Sequence, residues 1–130
     1  MGKYKVLIID DMDTVISRAK EIIGDRYKLA VASSVDNAMD KIKKDPPDII
    51  LCDLNMPETD GFDFFGKLKG SKYKDIPVIF VVLETSIITK TRAYEMGVVD
   101  FIQKPFVPFE MFKKIETQLK LKEIGWQFKM

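Results

Sequence analysis

The chain has 130 residues, 46% of them apolar and 32% charged, a balance that is ordinary for one globular domain. Basic and acidic residues almost cancel to a net charge of +1, which gives no reason to expect binding to nucleic acid or to an anionic membrane. The sequence contains no histidine, which excludes Ser-His-Asp triads, Cys-His pairs and histidine-ligated metal sites.

A single cysteine, Cys52, is too little for an internal disulfide or a structural zinc site. It lies inside an apolar run, so we expect a buried thiol rather than a reactive one. The chain opens without a signal-peptide pattern, and its apolar runs are too short to cross a bilayer. These features predict a cytoplasmic protein with no membrane insertion and no direct contact with nucleic acid.

Short apolar runs rich in β-branched residues recur along the chain. Runs of this length, apolar on both faces, are typical of strands in a parallel sheet that helices cover on both sides. The predicted strands are Val6–Ile9, Leu29–Ala32, Ile49–Cys52, Val78–Leu83 and Phe101–Ile102.

Segments with apolar residues at helical spacing separate these strands, and Gly24, Gly70 and Gly97 are placed to end three of the helices. The regular alternation of strand and helix predicts an α/β fold with a doubly wound, five-stranded parallel sheet. The predicted apolar helix faces are Val15, Ala19, Ile22 and Ile23; Val35, Ala38, Met39 and Ile42; Phe62, Phe65 and Leu68; Ile88, Ala93 and Met96; and Phe109, Phe112, Ile115 and Leu119.

Charged residues follow four of the five predicted strands. Asp10 and Asp11 follow the first strand, Asp53 the third and Glu84 the fourth, and Lys104 comes just after the fifth. Because ligands bind at the carboxyl ends of parallel strands, we expect the aspartates and the lysine to meet at one edge of the sheet.

Clustered carboxylates repel one another and raise each other's pKa unless a cation lies among them. Mg²⁺ prefers oxygen ligands and keeps coordination positions open for water and phosphate oxygens. A lysine can hold a bound phosphate as a point charge. Asp53, at the centre of the group, is therefore a candidate nucleophile for forming an aspartyl phosphate.

Each residue taken alone has a plainer interpretation. Asp10 and Asp11 could cap the first helix, Asp53 could form an Asx turn, and Lys104 could be a solvated lysine before a proline. Their joint occurrence at strand ends, in this order, favours a functional site over three unrelated structural roles.

Several sequence blocks occur in a family-specific order. They are Val6-Leu7-Ile8-Ile9-Asp10-Asp11; Asp53-Leu54-Asn55-Met56-Pro57 with Asp60-Gly61; Ile76-Pro77-Val78-Ile79; Gly97; and Lys104-Pro105-Phe106. From about Lys5 to Ile124 the sequence resembles the receiver domain of two-component response regulators, the chemotaxis regulators among them. The resemblance implies a receiver domain over residues 1–124, with residues 125–130 as a tail or linker stub. It also implies a flavodoxin-like three-layer sandwich with strand order 2-1-3-4-5, for which the chemotaxis receiver is a standard example.

The resemblance also assigns roles to individual residues. Asp53 would be phosphorylated, and Lys104, joined to Pro105 by a cis bond, would contact the phosphoryl group. Asp11 and Asp53 would bind Mg²⁺ directly together with the backbone carbonyl of Asn55, and Asp10 would bind it through water.

Partners follow from the same resemblance. The phosphoryl group would come from a phosphohistidine on a sensor histidine kinase or phosphotransfer protein, because this chain has no histidine to donate it. The modified domain would act on a downstream output domain or protein. It would be a regulatory phosphoacceptor that catalyses only its own phosphotransfer and dephosphorylation, and not an enzyme.

The switch positions depart from the family's pattern. Val82 stands where the family usually has Thr or Ser, whose hydroxyl swings toward the phosphoryl group and draws an aromatic residue inward; that aromatic position is Phe101. Valine cannot make this hydrogen bond, so we expect weakened or rerouted coupling. Asn55 and Glu84 occupy positions that flank the phosphate in the family and tune its lifetime.

Two alternatives remain open at this point. Asp11-Met12-Asp13-Thr14-Val15 fits the signature of haloacid-dehalogenase-type phosphatases, in which Asp11 would be the nucleophile and Asp13 the general acid; that reading leaves Asp53 unexplained. The second alternative, motivated by Val82, is a receiver-like interaction module without stable phosphorylation.

Overall fold

Five strands alternate with five helices within residues 3–56, 60–83 and 86–125, the parts of the chain that the computed structural model describes. The strands are β1 (Lys5–Ile9), β2 (Lys28–Ala32), β3 (Ile49–Asp53), β4 (Val78–Val82) and β5 (Asp100–Gln103). The helices are α1 (Asp13–Ile23), α2 (Val35–Lys44), α3 (Gly61–Lys69), α4 (Ile87–Met96) and α5 (Pro108–Glu123).

The strands form one parallel sheet in the order β2-β1-β3-β4-β5. All five residues of β3 and of β4 are buried, because these strands carry apolar side chains on both faces and helices cover both. The predicted fold class, sheet topology and strand order are confirmed. They put β3, which ends at Asp53, in the middle of the sheet.

The sheet separates two apolar cores and so gives a three-layer arrangement. Alternate residues of each strand face opposite cores: Leu7 and Ile9 of β1 face one, and Val6 and Ile8 face the other. Helices α2, α3 and α4 complete the first core, and α1 and α5 complete the second.

Local sequence signals set the helix ends. The side chains of Ser34 and Ser86 accept hydrogen bonds from backbone N–H groups in the first turns of α2 and α4, which satisfies donors left free at a helix start. Gly24, Gly70 and Gly97 end α1, α3 and α4 as predicted. Gly97 does so with φ at 112°, a left-handed conformation that glycine adopts without steric cost.

The predicted apolar faces of the last two helices are partly wrong. Within α4 only Ala93 is buried, whereas Ile88 is 82% exposed and Met96 is also exposed. In α5 the first turn points Phe109 outward at 71% exposure, and Met111 joins Ile115 and Leu119 in the core instead. The last predicted strand residue of β4, Leu83, lies beyond the strand and is exposed.

Candidate functional site

Backbone hydrogen bonds that continue the sheet beyond its strands position the predicted site residues. The N–H of Asp10 donates to the carbonyl of Ala32 at 3.0 Å, and the N–H of Lys104 donates to the carbonyl of Val82 at 2.7 Å. Asp53 is itself the last residue of β3. The three residues therefore project from backbone that hydrogen bonds of the sheet hold in place.

The carboxylates of Asp10, Asp11 and Asp53 lie together at the carboxyl edge of the sheet, as the topology predicted. One oxygen from each lies within 4.8 Å of the others. Asp10 is 1% exposed and Asp53 is 5% exposed, whereas Asp11 is open to solvent. Two carboxylates are thus covered by protein, and the third keeps the group accessible from outside.

Lys104 reaches into this group. Its Nζ lies 3.1 Å from Oδ2 of Asp10 and 3.4 Å from Oδ2 of Asp53, and its side chain is largely buried. The bond between Lys104 and Pro105 is cis, as the family resemblance implied. The lysine predicted to contact a phosphoryl group therefore lies beside the predicted acceptor.

The donor atoms fit a hard divalent cation. One ammonium faces three carboxylates, so the group keeps an excess of negative charge when all are ionised. Carboxylate oxygens are the ligands that Mg²⁺ and Ca²⁺ prefer, and the exposed Asp11 leaves room for water in the coordination shell. The chemistry of the group supports the predicted Mg²⁺ over a thiolate- or imidazole-loving metal.

Electrostatics distinguish Asp53 from an ordinary aspartate. Burial, and after it the negative charge of Asp10, raise the pKa of the Asp53 carboxyl above its usual value. The Lys104 ammonium and a hydrogen bond from the backbone of Asn55 oppose this rise. A positive charge brought to the site would lower the pKa of Asp53 again and favour the ionised, nucleophilic form.

Each buried aspartate also organises the loop that follows it. Oδ1 of Asp53 accepts a hydrogen bond from the N–H of Asn55 at 3.2 Å, and Oδ1 of Asp10 accepts one from the N–H of Met12 at 2.9 Å. The Asx-type turn at Asp53 therefore exists, and it coexists with the site. The N-cap of α1 is Met12, whose side chain makes no capping hydrogen bond, so the helix-cap interpretation of Asp10 and Asp11 is wrong.

The neighbouring thiol is inert. Cys52 is fully buried beside Asp53 in β3, and burial followed by the charge of Asp53 raises the pKa of its thiol well above the usual value. The prediction of a core cysteine is confirmed.

Asn55 and Glu84 are the two residues predicted to tune the lifetime of the phosphate. Asn55 is exposed in the loop after β3, two residues from Asp53. Glu84 lies outside the described residues, so its role stays a prediction.

Val82 and Phe101, the two switch positions, lie in the same core. Val82 ends β4 and is buried, while its backbone carbonyl holds Lys104. The ring of Phe101 is also buried, at 5% exposure, so the aromatic side chain already points inward without a hydroxyl to draw it.

Sequence reasoning gave Gly61 no structural role beyond its place in a family motif. It is the first residue of α3, and its N–H donates to the carbonyl of Leu54 at 2.8 Å. A methyl group in place of its hydrogen would lie 3.0 Å from Cα of Leu54 and 3.1 Å from the carbonyl oxygen of Asp53. Glycine therefore lets α3 start this close to the end of β3 without displacing that backbone.

Comparison with known proteins identifies this architecture. A family model described as the response regulator receiver domain matches residues 6–116 of the chain. The chain belongs to the response regulator receiver domain family. Receiver domains of this family serve two-component systems, and the family assignment favours a phosphoacceptor over the phosphatase alternative built on Asp11.

Curated relatives carry the receiver domain as part of longer proteins. The chain is 38% identical over 106 residues to a protein-glutamate methylesterase/protein-glutamine glutaminase of Ralstonia nicotianae, a match that covers 79% of the chain and 28% of the relative. It is 30% identical over 123 residues to a probable transcriptional regulator, ycf27, of Porphyridium aerugineum, covering 92% of the chain and 50% of the relative. The receiver domain thus spans half or less of the length of these relatives.

Solved structures agree with the fold over almost the whole receiver domain. A putative response regulator from Chloroflexus aurantiacus has a TM-score of 0.84 at 28% identity, with 91% of this chain and 98% of that chain covered. Chemotaxis protein CheY4 of Vibrio cholerae has a TM-score of 0.83 at 29% identity, with 89% and 98% covered.

Among the described residues of the receiver domain, no helix is both long and apolar enough to cross a bilayer.

Proposed function

We propose that this receiver domain accepts a phosphoryl group on Asp53 from a phosphohistidine of a partner kinase or phosphotransfer protein, and that the modified domain changes its binding to a downstream partner. One observation carries the proposal: Asp53 ends the central strand, almost buried, with Lys104 and two further carboxylates around it. A buried aspartate with a purely structural role needs only one positive partner. Asp53 has Lys104 and, in addition, two further carboxylates beside it, which a structural role does not require.

Asp53 would act as the nucleophile. One of its carboxylate oxygens forms a bond to phosphorus while the phosphorus–nitrogen bond of the donor breaks and the donor histidine leaves. Lys104 Nζ, 3.4 Å from Oδ2 of Asp53, is placed to contact the oxygens of the transferring group. Positioning and charge neutralisation of this kind supply most of the catalysis in phosphoryl transfer.

Asp11 and Asp53, with the backbone carbonyl of Asn55, would hold Mg²⁺ directly, and Asp10 would hold it through water. When bound, Mg²⁺ supplies positive charge that neutralises the phosphoryl oxygens. Asn55 and Glu84 would then orient or exclude the water that hydrolyses the acyl phosphate, and so set its lifetime.

A small-molecule phosphodonor tests the proposal without a partner protein. The domain is incubated with acetyl phosphate and Mg²⁺, and the acyl phosphate is detected by intact mass and mapped by peptide analysis. We expect the label on Asp53, its loss in Asp53→Asn, and its retention in Asp13→Asn, which removes a nearby exposed carboxylate. A label on Asp11 would contradict the proposal, and so would a label that persists in Asp53→Asn.

A second function, an interaction module without stable phosphorylation, is favoured by Val82. With no hydroxyl at this buried position, the domain lacks the group that makes the family's usual contact with the phosphoryl group. This alternative predicts Mg²⁺ binding by calorimetry with no acyl phosphate in the same labelling experiment. It also predicts partner binding that phosphodonor does not change.

A further inference from the structure

Phe80, in the middle of β4, is the centre of a cluster of aromatic rings. Its ring lies edge-on to those of Phe62 at 5.4 Å, Phe65 at 6.0 Å and Phe101 at 6.1 Å between centroids. These are distances and orientations at which aromatic pairs attract one another. Phe80 is fully buried, so its ring has no free space into which it can move without moving these neighbours.

One side of the Phe80 ring adjoins the phosphoacceptor. A methyl group at Gly61 would lie 3.2 Å from Cε1 of Phe80 and 3.1 Å from the carbonyl oxygen of Asp53. A single glycine therefore separates the ring from the backbone of the residue that would carry the phosphoryl group. A shift of the Asp53 backbone toward Gly61 would therefore press on the start of α3 and on the Phe80 ring.

The other side of the cluster reaches α4. The ring of Tyr94 packs edge-on against Phe101 at 5.2 Å, and the guanidinium of Arg92 lies 4.0 Å over the ring of Phe62. Within α4 only Ala93 is buried, so the helix has little apolar contact of its own with the core. Two of the three rings that Phe80 contacts, Phe62 and Phe101, therefore supply contacts between α4 and the core.

We propose that Phe80 transmits phosphorylation of Asp53 to α4 through two arms, Phe62 to Arg92 and Phe101 to Tyr94. This role rests on the proposed function, since it requires phosphate at Asp53. It uses no hydroxyl at position 82, and so it provides a route that Val82 does not block. We call Phe80, Phe62 and Phe101 the ring relay.

The choice of α4 as the responding element follows from its packing. A helix with one buried side chain opens and shifts at lower cost than one with a full apolar face. α2, which buries Val35, Ala38 and Ile42 against the same core, has no attachment of this kind. Phosphorylation is therefore expected to change hydrogen exchange in α4 and leave α2 as it was.

Hydrogen–deuterium exchange on the whole domain tests the relay. Exchange of peptides covering α4 and α2 is measured with Mg²⁺ alone and with Mg²⁺ and excess acetyl phosphate, and intact mass records the phosphorylated fraction. In the wild-type domain we expect the α4 exchange rate to change by between about two-fold and thirty-fold, the range of couplings carried by packed networks. Phe80→Leu should abolish this change while the phosphorylated fraction stays the same.

Two further variants separate the relay from a general loss of packing. Phe64→Leu removes an equally buried ring of the same core that is not part of the relay, and should keep the α4 response. Phe62→Leu, at a partly exposed position, should lose the Arg92 arm and reduce the response even if Phe80→Leu folds poorly.

The outcomes distinguish failure of the ring relay from failure of the proposed phosphorylation of Asp53. Normal labelling of Asp53 with an undiminished α4 response in Phe80→Leu and Phe62→Leu overturns the relay alone. An equal loss of response in Phe64→Leu also overturns it. Absence of label on wild-type Asp53 overturns the proposed function, and the relay with it.

Discussion

Lys104 Nζ lies 3.4 Å from Oδ2 of Asp53. Because Lys104 also contacts Asp10, one ammonium serves two buried carboxylates, and among the described residues neither carboxylate has a second cationic partner. The lysine lies against both carboxylates before any phosphoryl group arrives. This position makes the lysine part of the stability of the protein as well as of its chemistry.

Lys104→Met should therefore destabilise the domain when divalent ions are chelated. Removing one partner of a buried ion pair typically costs about 3–5 kcal/mol, and we expect roughly the lower limit because Asp53 can take up a proton. Urea denaturation monitored by circular dichroism measures the loss. Mg²⁺ should return more stability to the variant than to the wild type; equal effects on both would show that ion and lysine do not share the same carboxylates.

The raised pKa of Asp53 predicts a pH dependence of stability in chelated protein. The unfolded chain loses this proton at lower pH than the folded protein does, so the stabilising contribution is complete below the unfolded pKa and is lost as pH rises through the folded pKa. Asp53→Asn should therefore equal the wild type in acid and exceed it in the free energy of unfolding toward neutral pH. Denaturant titrations across that range measure the difference, with Asp13→Asn as the control for the loss of one negative charge. A constant difference between Asp53→Asn and the wild type would contradict the assignment.

Gly61→Ala should destabilise the domain and slow labelling of Asp53. Its new methyl group would meet the backbone of Leu54 at 3.0 Å, and overpacking of this kind costs about 1–3 kcal/mol. Gly66→Ala, in the same helix with nothing within 4 Å, should instead stabilise by roughly 0.5–1 kcal/mol, because alanine favours helix over glycine. Thermal melts and acetyl phosphate labelling of the pair check this; similar behaviour of the two variants would refute the close contact.

Val82→Thr restores the hydroxyl that the family usually carries. We expect a larger phosphorylation-dependent change in α4 hydrogen exchange than in the wild type, since a second route then acts beside the ring relay. The buried hydroxyl should cost about 1–3 kcal/mol in the unphosphorylated domain, where it lacks a phosphate partner. Val81→Thr, which faces the opposite core, is the matched control and should leave the response unchanged. An unchanged response in Val82→Thr would defeat this prediction.

Ser86→Ala removes the side-chain cap of α4. Loss of a serine cap costs about 1 kcal/mol, and because α4 buries so little the cost should appear as faster local exchange rather than as a lower global stability. Ser34→Ala, which removes the equivalent cap of α2, should leave α4 exchange as it is. Exchange mass spectrometry of both variants decides; faster exchange in every helix of Ser86→Ala would show that α4 is not a separate unit.

The sequence predicted the position of the site because it follows from topology alone. Once five strands run parallel, their carboxyl ends share an edge, and Asp10, Asp53 and Lys104 must come near one another whatever the packing detail. Burial was harder to predict. Nothing in the spacing shows that Asp10 is covered while its neighbour Asp11 is exposed.

The apolar helix faces were predicted less well for α4 and α5, in which apolar residues lie on more than one side of the helix. In α5 Met111 lies four residues before Ile115 and shares its face, whereas Phe109 lies six residues before it and is exposed. In α4 the consecutive residues Ile87 and Ile88 are both exposed, although α3 buries the consecutive residues Phe64 and Phe65. This helix flanks the edge strand β5 and covers little of the sheet, which leaves both isoleucines exposed.

The ring relay could not be found from the sequence. Phe80 lies within an uninterrupted apolar strand, where its letter pattern does not differ from that of its neighbours Ile79 and Val81. Its ring contacts come from two other segments, α3 and β5, and sequence spacing carries no information about which side chains meet across a core.

The backbone N–H groups of Asp10 and Lys104 donate hydrogen bonds to the neighbouring strands β2 and β4. Core strands open only near the global free energy of unfolding, so we expect fraying of a surface loop to leave these two backbones in place. We therefore expect the carboxyl edge of the sheet to unfold together with the sheet as one cooperative unit. The geometry of the carboxylate group should then persist for as long as the domain is folded.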